Sequence, residues 1–113
     1  MSDCLFCRIA EGEIPADVVL ERKDVLAFRD INPQAAVHVL VIPKEHIPSL
    51  AAVEQRHDRL LAALVRAVNE VARQGAVADG FRVVTNIGPD AQQSVEHLHL
   101  HVLGGRAFSW PPG

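Results

Sequence analysis

His97-Leu98-His99-Leu100-His101-Val102-Leu103 is the stretch from which the rest of the chain is read. Polar and apolar residues alternate through it, which is the period of a β-strand with two unlike faces. In a strand running from Val95 to Leu103, His97, His99 and His101 emerge on one face at successive steps of roughly 6.6 Å, while Leu98, Leu100 and Val102 pack on the other. The same alternation sends Glu96 to the face opposite the histidines.

Working outward, Phe81 to Asn86 reads as a second strand after the Asp79-Gly80 turn, joined to the first by the polar loop Ile87 to Ser94. Between Ala51 and Gln74 the apolar positions Leu60, Leu61, Leu64, Val65, Val68, Val71 and Ala72 follow helical spacing, so one long helix is expected there, stopped near Gly75. His57 matches no motif and reads as a solvated helix residue. His38-Val39-Leu40-Val41-Ile42 is nearly all apolar and β-branched, as a central strand would be, and Pro43 ends it. Val18-Val19-Leu20 and Val25-Leu26-Ala27-Phe28, separated by Arg22-Lys23-Asp24, read as a hairpin, and Cys4 to Glu11 as a short helix ended by Gly12 and Ile14-Pro15. The fold class is therefore α+β: about five antiparallel strands with one long helix and a short N-terminal helix.

A chain of 113 residues, 49% hydrophobic and 22% charged, has room for one core, so a single domain over residues 1–113 is expected. With 11 basic against 14 acidic side chains and a net charge of -3, neither a nucleic-acid partner nor a membrane surface is expected. Any bound nucleotide should be small. The start Met1-Ser2-Asp3-Cys4 carries an early acid without an apolar signal core, and no apolar run is long enough to span a bilayer, which points to the cytoplasm. In a reducing compartment the pair Cys4 and Cys7, spaced Cys-x-x-Cys, is a metal half-site or a redox pair in preference to a structural disulfide.

Three imidazoles in register serve two kinds of chemistry, metal ligation and phosphoryl transfer, and spacing alone does not choose between them. Asn86, Gln93 and Ser94 before the row and Gly104-Gly105-Arg106 after it offer hydrogen-bond groups suited to phosphate, although ordinary turn chemistry accounts equally well for the first three. A hydrolytic zinc site would add an acidic general base, and Glu96 is directed away, which disfavours a metallohydrolase.

The run His97-Leu98-His99-Leu100-His101-Val102-Leu103 resembles the signature of the histidine triad (HIT) superfamily. Gln93-Ser94-Val95, Gly104-Gly105-Arg106, Trp110-Pro111-Pro112-Gly113, Glu13-Ile14-Pro15, Leu26-Ala27-Phe28, Asp30-Ile31-Asn32-Pro33-Gln34-Ala35 and His38 through Lys44 extend the resemblance to its histidine triad nucleotide-binding (HINT) branch over nearly the whole chain. The resemblance implies a homodimer that binds purine nucleoside monophosphates and hydrolyses nucleoside 5′-phosphoramidates through a covalent nucleotidyl-histidine. By motif position His99 is then the nucleophile, His101 the phosphate-side partner and proton donor, and His38 a fourth histidine polarising the cluster. Asn86, Gln93 and Ser94 hold the phosphate and Asp30 the ribose. Leu5, Phe6, Ile9, Phe28 and Ile31 wall the base with Asn32 beside them, though each apolar residue also reads as plain core. Trp110 reaches the partner's site or packs as a tail aromatic.

The resemblance also implies a structural zinc held by Cys4, Cys7, His46 and His97, with catalysis itself requiring no cofactor; two free thiols packed as small hydrophobes are the rival reading. Pro89-Asp90-Ala91-Gln92 replaces a more glycine-rich stretch of the branch, and Ser109 stands where some relatives carry histidine, so leaving-group preference is open. Two alternatives stay beside the phosphoramidase. One is a dinucleoside polyphosphate hydrolase, against which the glycine pair and the Trp-Pro-Pro-Gly tail argue; the other is a nucleotide-binding regulatory or interaction module, against which the intact histidines argue.

Overall fold

The computed structural model describes residues 3–113, so Met1 and Ser2, with the first part of the N-terminal reading, lie outside it. Among the described residues five strands make one antiparallel sheet: β1 (Val18–Glu21), β2 (Val25–Arg29), β3 (Val37–Pro43), β4 (Phe81–Val84) and β5 (Leu100–Gly104), in the order β1-β2-β3-β5-β4. The helices are α1 (Leu5–Ala10) and α2 (Asp58–Gln74), which gives the expected α+β class. No helix of the described residues is long and apolar enough to cross a membrane.

Alternation divides the sheet into two faces that are covered very differently. Val25, Ala27, Val39, Val41, Leu98 and Val102 form one core with Leu64, Ala67, Val68 and Val71 of α2. Their neighbours in sequence, Leu26, Phe28, Leu40 and Ile42, cluster on the other face with Phe6 of α1. A 17-residue helix therefore seals one face, and a six-residue helix covers part of the other.

Three boundaries differ from the sequence reading by two residues or more. The long helix begins at Asp58, not Ala51, because Leu50–Ala52 and Gln55–His57 form separate 3₁₀ turns, started by Ser49 and by a Glu54/His57 capping box. The last strand starts at Leu100, not Val95: its partner β3 ends at Pro43, and the Leu98 N–H bonds instead to the Ile47 carbonyl at 2.6 Å. The strand read as Phe81 to Asn86 stops at Val84.

Gly104 and Gly105 serve packing where phosphate contact was expected. A Cβ on Gly104 would stand 2.7 Å from the Val77 Cβ, and Gly105 adopts φ +93° with Ala36 against it. Gly104→Ala is therefore expected to destabilise the fold by about 1–3 kcal/mol through overpacking. Gly80→Ala, whose added methyl meets open space, should stay within about 0.5 kcal/mol of the parent. Urea unfolding of both variants checks this, and equal midpoints would refute the steric account.

Candidate active site

The segment from Gln93 to His101 carries three of the histidines and β3 a fourth, and a hydrogen-bond partner sets the tautomer of each. His99 Nδ1 lies 2.7 Å from the His97 carbonyl, so Nδ1 carries the proton and donates it, and Nε2 keeps a free lone pair. His97 does the reverse: its Nε2–H donates to the Pro43 carbonyl at 2.8 Å, leaving Nδ1 unprotonated. His38 Nδ1 accepts the Gln34 N–H at 3.0 Å, so its Nε2 holds the proton. That Nε2 is 2.9 Å from His101 Nδ1, which must accept, so the proton of His101 sits on Nε2. The β-ladder makes this pair possible, because His38 opposes Leu103 and His101 opposes Leu40, placing the two imidazoles on a diagonal of one face.

Burial favours the neutral form of His38 and His101. His38 and His101 are both held below the usual histidine pKa, in each case mainly by desolvation; the imidazoles of His99 and His38 lower His101 further, and Asp30 opposes the shift in both. Asp30 Oδ2 approaches His38 Nε2 at 3.4 Å, and with His38 neutral this is a contact between dipole and carboxylate, not an ion pair. The Asp30 Oδ1 accepts the Asn32 N–H at 2.8 Å.

The histidine row thus splits between two sites. Cys4 Sγ, Cys7 Sγ, His46 Nδ1 and His97 Nδ1 lie within 4.8 Å of one another. His97 Nδ1 is 3.3 Å from Cys4 Sγ, 3.5 Å from Cys7 Sγ and 3.2 Å from His46 Nδ1, and His46 Nδ1 is 3.3 Å from Cys7 Sγ. A tetrahedral zinc with ordinary bond lengths needs about 3.3 Å between two nitrogens and about 3.6 Å between nitrogen and sulfur. The donor set fits, the Pro43 bond gives His97 the oriented ring that a metal ligand uses, and burial lowers its pKa toward the ligating form.

Beside the histidines a cavity of about 480 Å³ is lined by Leu5, Phe6, Ile9, Phe28, Asp30, Ile31 and Ser94 among others, with Phe6 in edge contact with His99 at 5.1 Å between ring centroids. Not every predicted residue reaches it. Asn32, Asn86, Gln93 and Trp110 do not line it. Gln93 is occupied elsewhere: its Oε1 accepts the Gly88 N–H, and its Nε2 donates to the carbonyls of Pro48 and Val95, so it braces the loop and has no donor to spare. Trp110 is 81% exposed. Arg106 donates to the carbonyls of Gln34 and Ala107 and stacks on Phe108, away from the phosphate role expected of the ribbon.

Three further corrections concern single residues. Glu96 is exposed and lines a hollow with Cys4 and His46, because the chain at 95–97 is bent and strand alternation does not apply there. His57 is 3% exposed, accepting the Glu54 N–H and donating to Glu45, since it closes the turn that starts α2 and does not sit on its outer face. Thr85, whose hydroxyl donates to the His99 carbonyl at 2.9 Å, was not marked by any motif; only its place beside Asn86 hinted at it.

Buried His38 and half-buried His101 make stability depend on pH. Unfolded, each titrates near 6.5; folded, each does so lower, so the unfolded chain binds more protons as the pH falls. Their contribution is complete above the unfolded value and is lost as pH falls from there toward the folded ones. Thermal denaturation should show a melting temperature that declines below about pH 6.5, with a shallower decline in His38→Gln. Identical slopes in the two proteins would contradict the neutral assignment.

Residues 3–109 match the family profile described as "Scavenger mRNA decapping enzyme C-term binding". The chain is 50% identical over 114 residues to the "14 kDa zinc-binding protein" of Zea mays, covering 99% of this chain and 89% of that one. It is 47% identical over 114 residues to "Adenylylsulfatase HINT1" of Arabidopsis thaliana, covering 99% and 78%. Among solved structures, a HIT family hydrolase from Legionella pneumophila superposes with a TM-score of 0.95 at 48% identity, covering 98% of this chain and all of that one (100%). A histidine triad protein from Clostridium difficile gives 0.91 at 41% identity, covering 96% of each. The spaced histidines, the sheet that carries them and these likenesses agree: the chain belongs to the histidine triad (HIT) family, in its HINT branch.

Proposed function

We propose that the protein hydrolyses purine nucleoside 5′-phosphoramidates through a nucleotidyl-His99 intermediate. The observation that carries this is the pair of complementary tautomers: a lone pair on His99 Nε2 and a proton on His101 Nε2, with the two rings 5.1 Å apart. The lone pair attacks phosphorus, the P–N bond to the amine breaks, and the departing nitrogen takes the Nε2 proton of His101, which the bound phosphate holds as imidazolium and which is left neutral. Water then cleaves the His99–P bond and returns a proton to His101, so the sum is phosphoramidate plus water giving amine plus nucleotide. The base lies against Phe6, Phe28, Ile9 and Leu5, and Asp30, which lines the same cavity, accepts from the ribose hydroxyls. Ser94 is the cavity-lining hydroxyl for the phosphate.

Zinc belongs to this reading as a structural ion. Cys4, Cys7, His46 and His97 would close its coordination, and its contribution would be to tie the start of α1 to the segment before β5. A homodimer also belongs to it. β4 is an edge strand with Val83 45% exposed, and Trp110 stands free of its own chain's cavity, which suits a tail that completes a partner's site.

The relative named as an adenylylsulfatase directs attention to the leaving group. Sulfate departs without a proton, whereas an amine needs one. His101→Asn should therefore lower turnover of an adenosine 5′-phosphoramidate by about 10²–10⁴-fold and spare adenylyl sulfate by comparison. Equal losses on both would remove His101 as the proton donor. With the parent protein, mass spectrometry after a rapid quench should show an adenylyl adduct that His99→Ala lacks. Absence of both adduct and turnover in the parent would end the enzymatic reading. Metal analysis is expected to find one zinc per chain, lost in Cys4→Ser, and a metal-free parent protein of unchanged stability would refute the structural ion.

A further inference from the structure

The metal centre and the nucleotide cavity are built from the same two pieces of chain. Cys4 and Cys7 bracket the first turn of α1, with the Cys7 N–H donating to Cys4 Sγ at 3.3 Å, while Leu5, Phe6 and Ile9 of that helix wall the cavity. His97 gives its ring to the cluster and its carbonyl to His99. Leu5, Ser94 and Val95 line both the cavity and the hollow of about 610 Å³ beside Cys4 and His46, so one partition of side chains separates the two. Phe6 makes edge contacts with His97 at 6.0 Å and with His99 at 5.1 Å.

A helix of six residues does not hold itself in water, where isolated helices shorter than about 12–15 residues are marginal. Its position depends on its tethers, and the cluster would supply two of them. Without a metal, a nucleotide must order α1 and the segment 94–99 as it binds, and that ordering is subtracted from its affinity. With a metal in place the ordering is already done. We infer that the Cys4-Cys7-His46-His97 centre is a positioning element of the nucleotide site, so that zinc and nucleoside monophosphate bind with positive, reciprocal coupling. This rests on the nucleotide reading above and adds to it a dependence between two ligands. Linkage requires that the factor by which zinc tightens the nucleotide equal the factor by which the nucleotide tightens zinc.

The test uses the full chain loaded with zinc. Calorimetric titration with AMP should give an affinity about 5- to 150-fold higher for the loaded than for the metal-stripped protein, the usual range for coupled sites. Saturating AMP should lower the equilibrium constant for zinc transfer to a competing chromophoric chelator by the same factor. The chelator arm needs no stable metal-free protein, so it decides the matter even if stripping unfolds the chain. Leu64→Ala, which weakens the α2 core away from both sites, should leave the AMP effect on zinc unchanged; an effect that shrinks with global stability would overturn the proposal. AMP that binds the loaded protein yet leaves zinc transfer unaltered overturns the coupling alone. AMP that does not bind the loaded protein overturns the nucleotide reading first.

Discussion

The hydrogen bond from His99 Nδ1 to the His97 carbonyl, 2.7 Å long and buried, is the constraint on which the rest of the site depends. It decides which nitrogen of His99 carries the proton and where the other one points. A carbonyl can orient a ring only if it is itself immobile, and this one is held on both sides. The His97 ring donates to Pro43 at the end of β3 and turns its other nitrogen into the Cys4, Cys7 and His46 cluster, while the next residue, Leu98, is sunk in the α2 core at 1% exposure. Leaving the buried Nδ1–H unpaired would cost about 1–3 kcal/mol, enough to favour strongly the arrangement in which it is paired. The end of β3, the metal donors and the proposed nucleophile form one mechanical unit.

That unit sits on the thinly covered face of the sheet for a topological reason. β5 lies between β3 and β4, and the register sets odd-numbered residues of β5 on the same face as even-numbered residues of β3. Even-numbered residues of β3, His38, Leu40 and Ile42, share the face of His101; odd-numbered ones go to α2. A long helix on the histidine face would have buried the imidazoles beyond reach of any ligand. The short α1 leaves a cavity beside them and still excludes enough water to keep His38 and His101 neutral.

Much of this was legible because period and parity survive local irregularity. Leu98, Leu100 and Val102 were read onto the helix side from alternation alone and lie there, although only the last two belong to the strand. The errors fall where hydrogen bonding overrides pattern. Glu96 turned out on the near surface because Pro43 ends the ladder before it can align residue 96. His57 is buried because a capping box took the residue that helical spacing assigned to solvent. Gln93 was read as a phosphate donor from its company, whereas three backbone groups consume its amide, and no sequence signal distinguishes an amide that faces a ligand from one that braces a loop. The metal donors are separated by as many as 93 residues, so the spacing of the two cysteines alone left a metal half-site and a redox pair both open; only resemblance named the partners that the fold then brought together.

The neutrality of the cluster has a consequence for when the site becomes an acid. The imidazoles of His38, His99 and His101 pack with centroids 5.1 to 5.2 Å apart, and for His101 the rings of His99 and His38 act in the same direction as desolvation. An empty site is therefore a poor proton store. A phosphate anion set among the same rings reverses the balance, since a negative charge within about 4–6 Å favours the charged imidazole. On the proposed reading, the substrate raises the proton affinity of His101 as it binds, so the protonated acid and its substrate arrive together. One cluster can in this way present a nucleophile and an acid on adjacent rings, because the charge that separates their roles comes with the ligand.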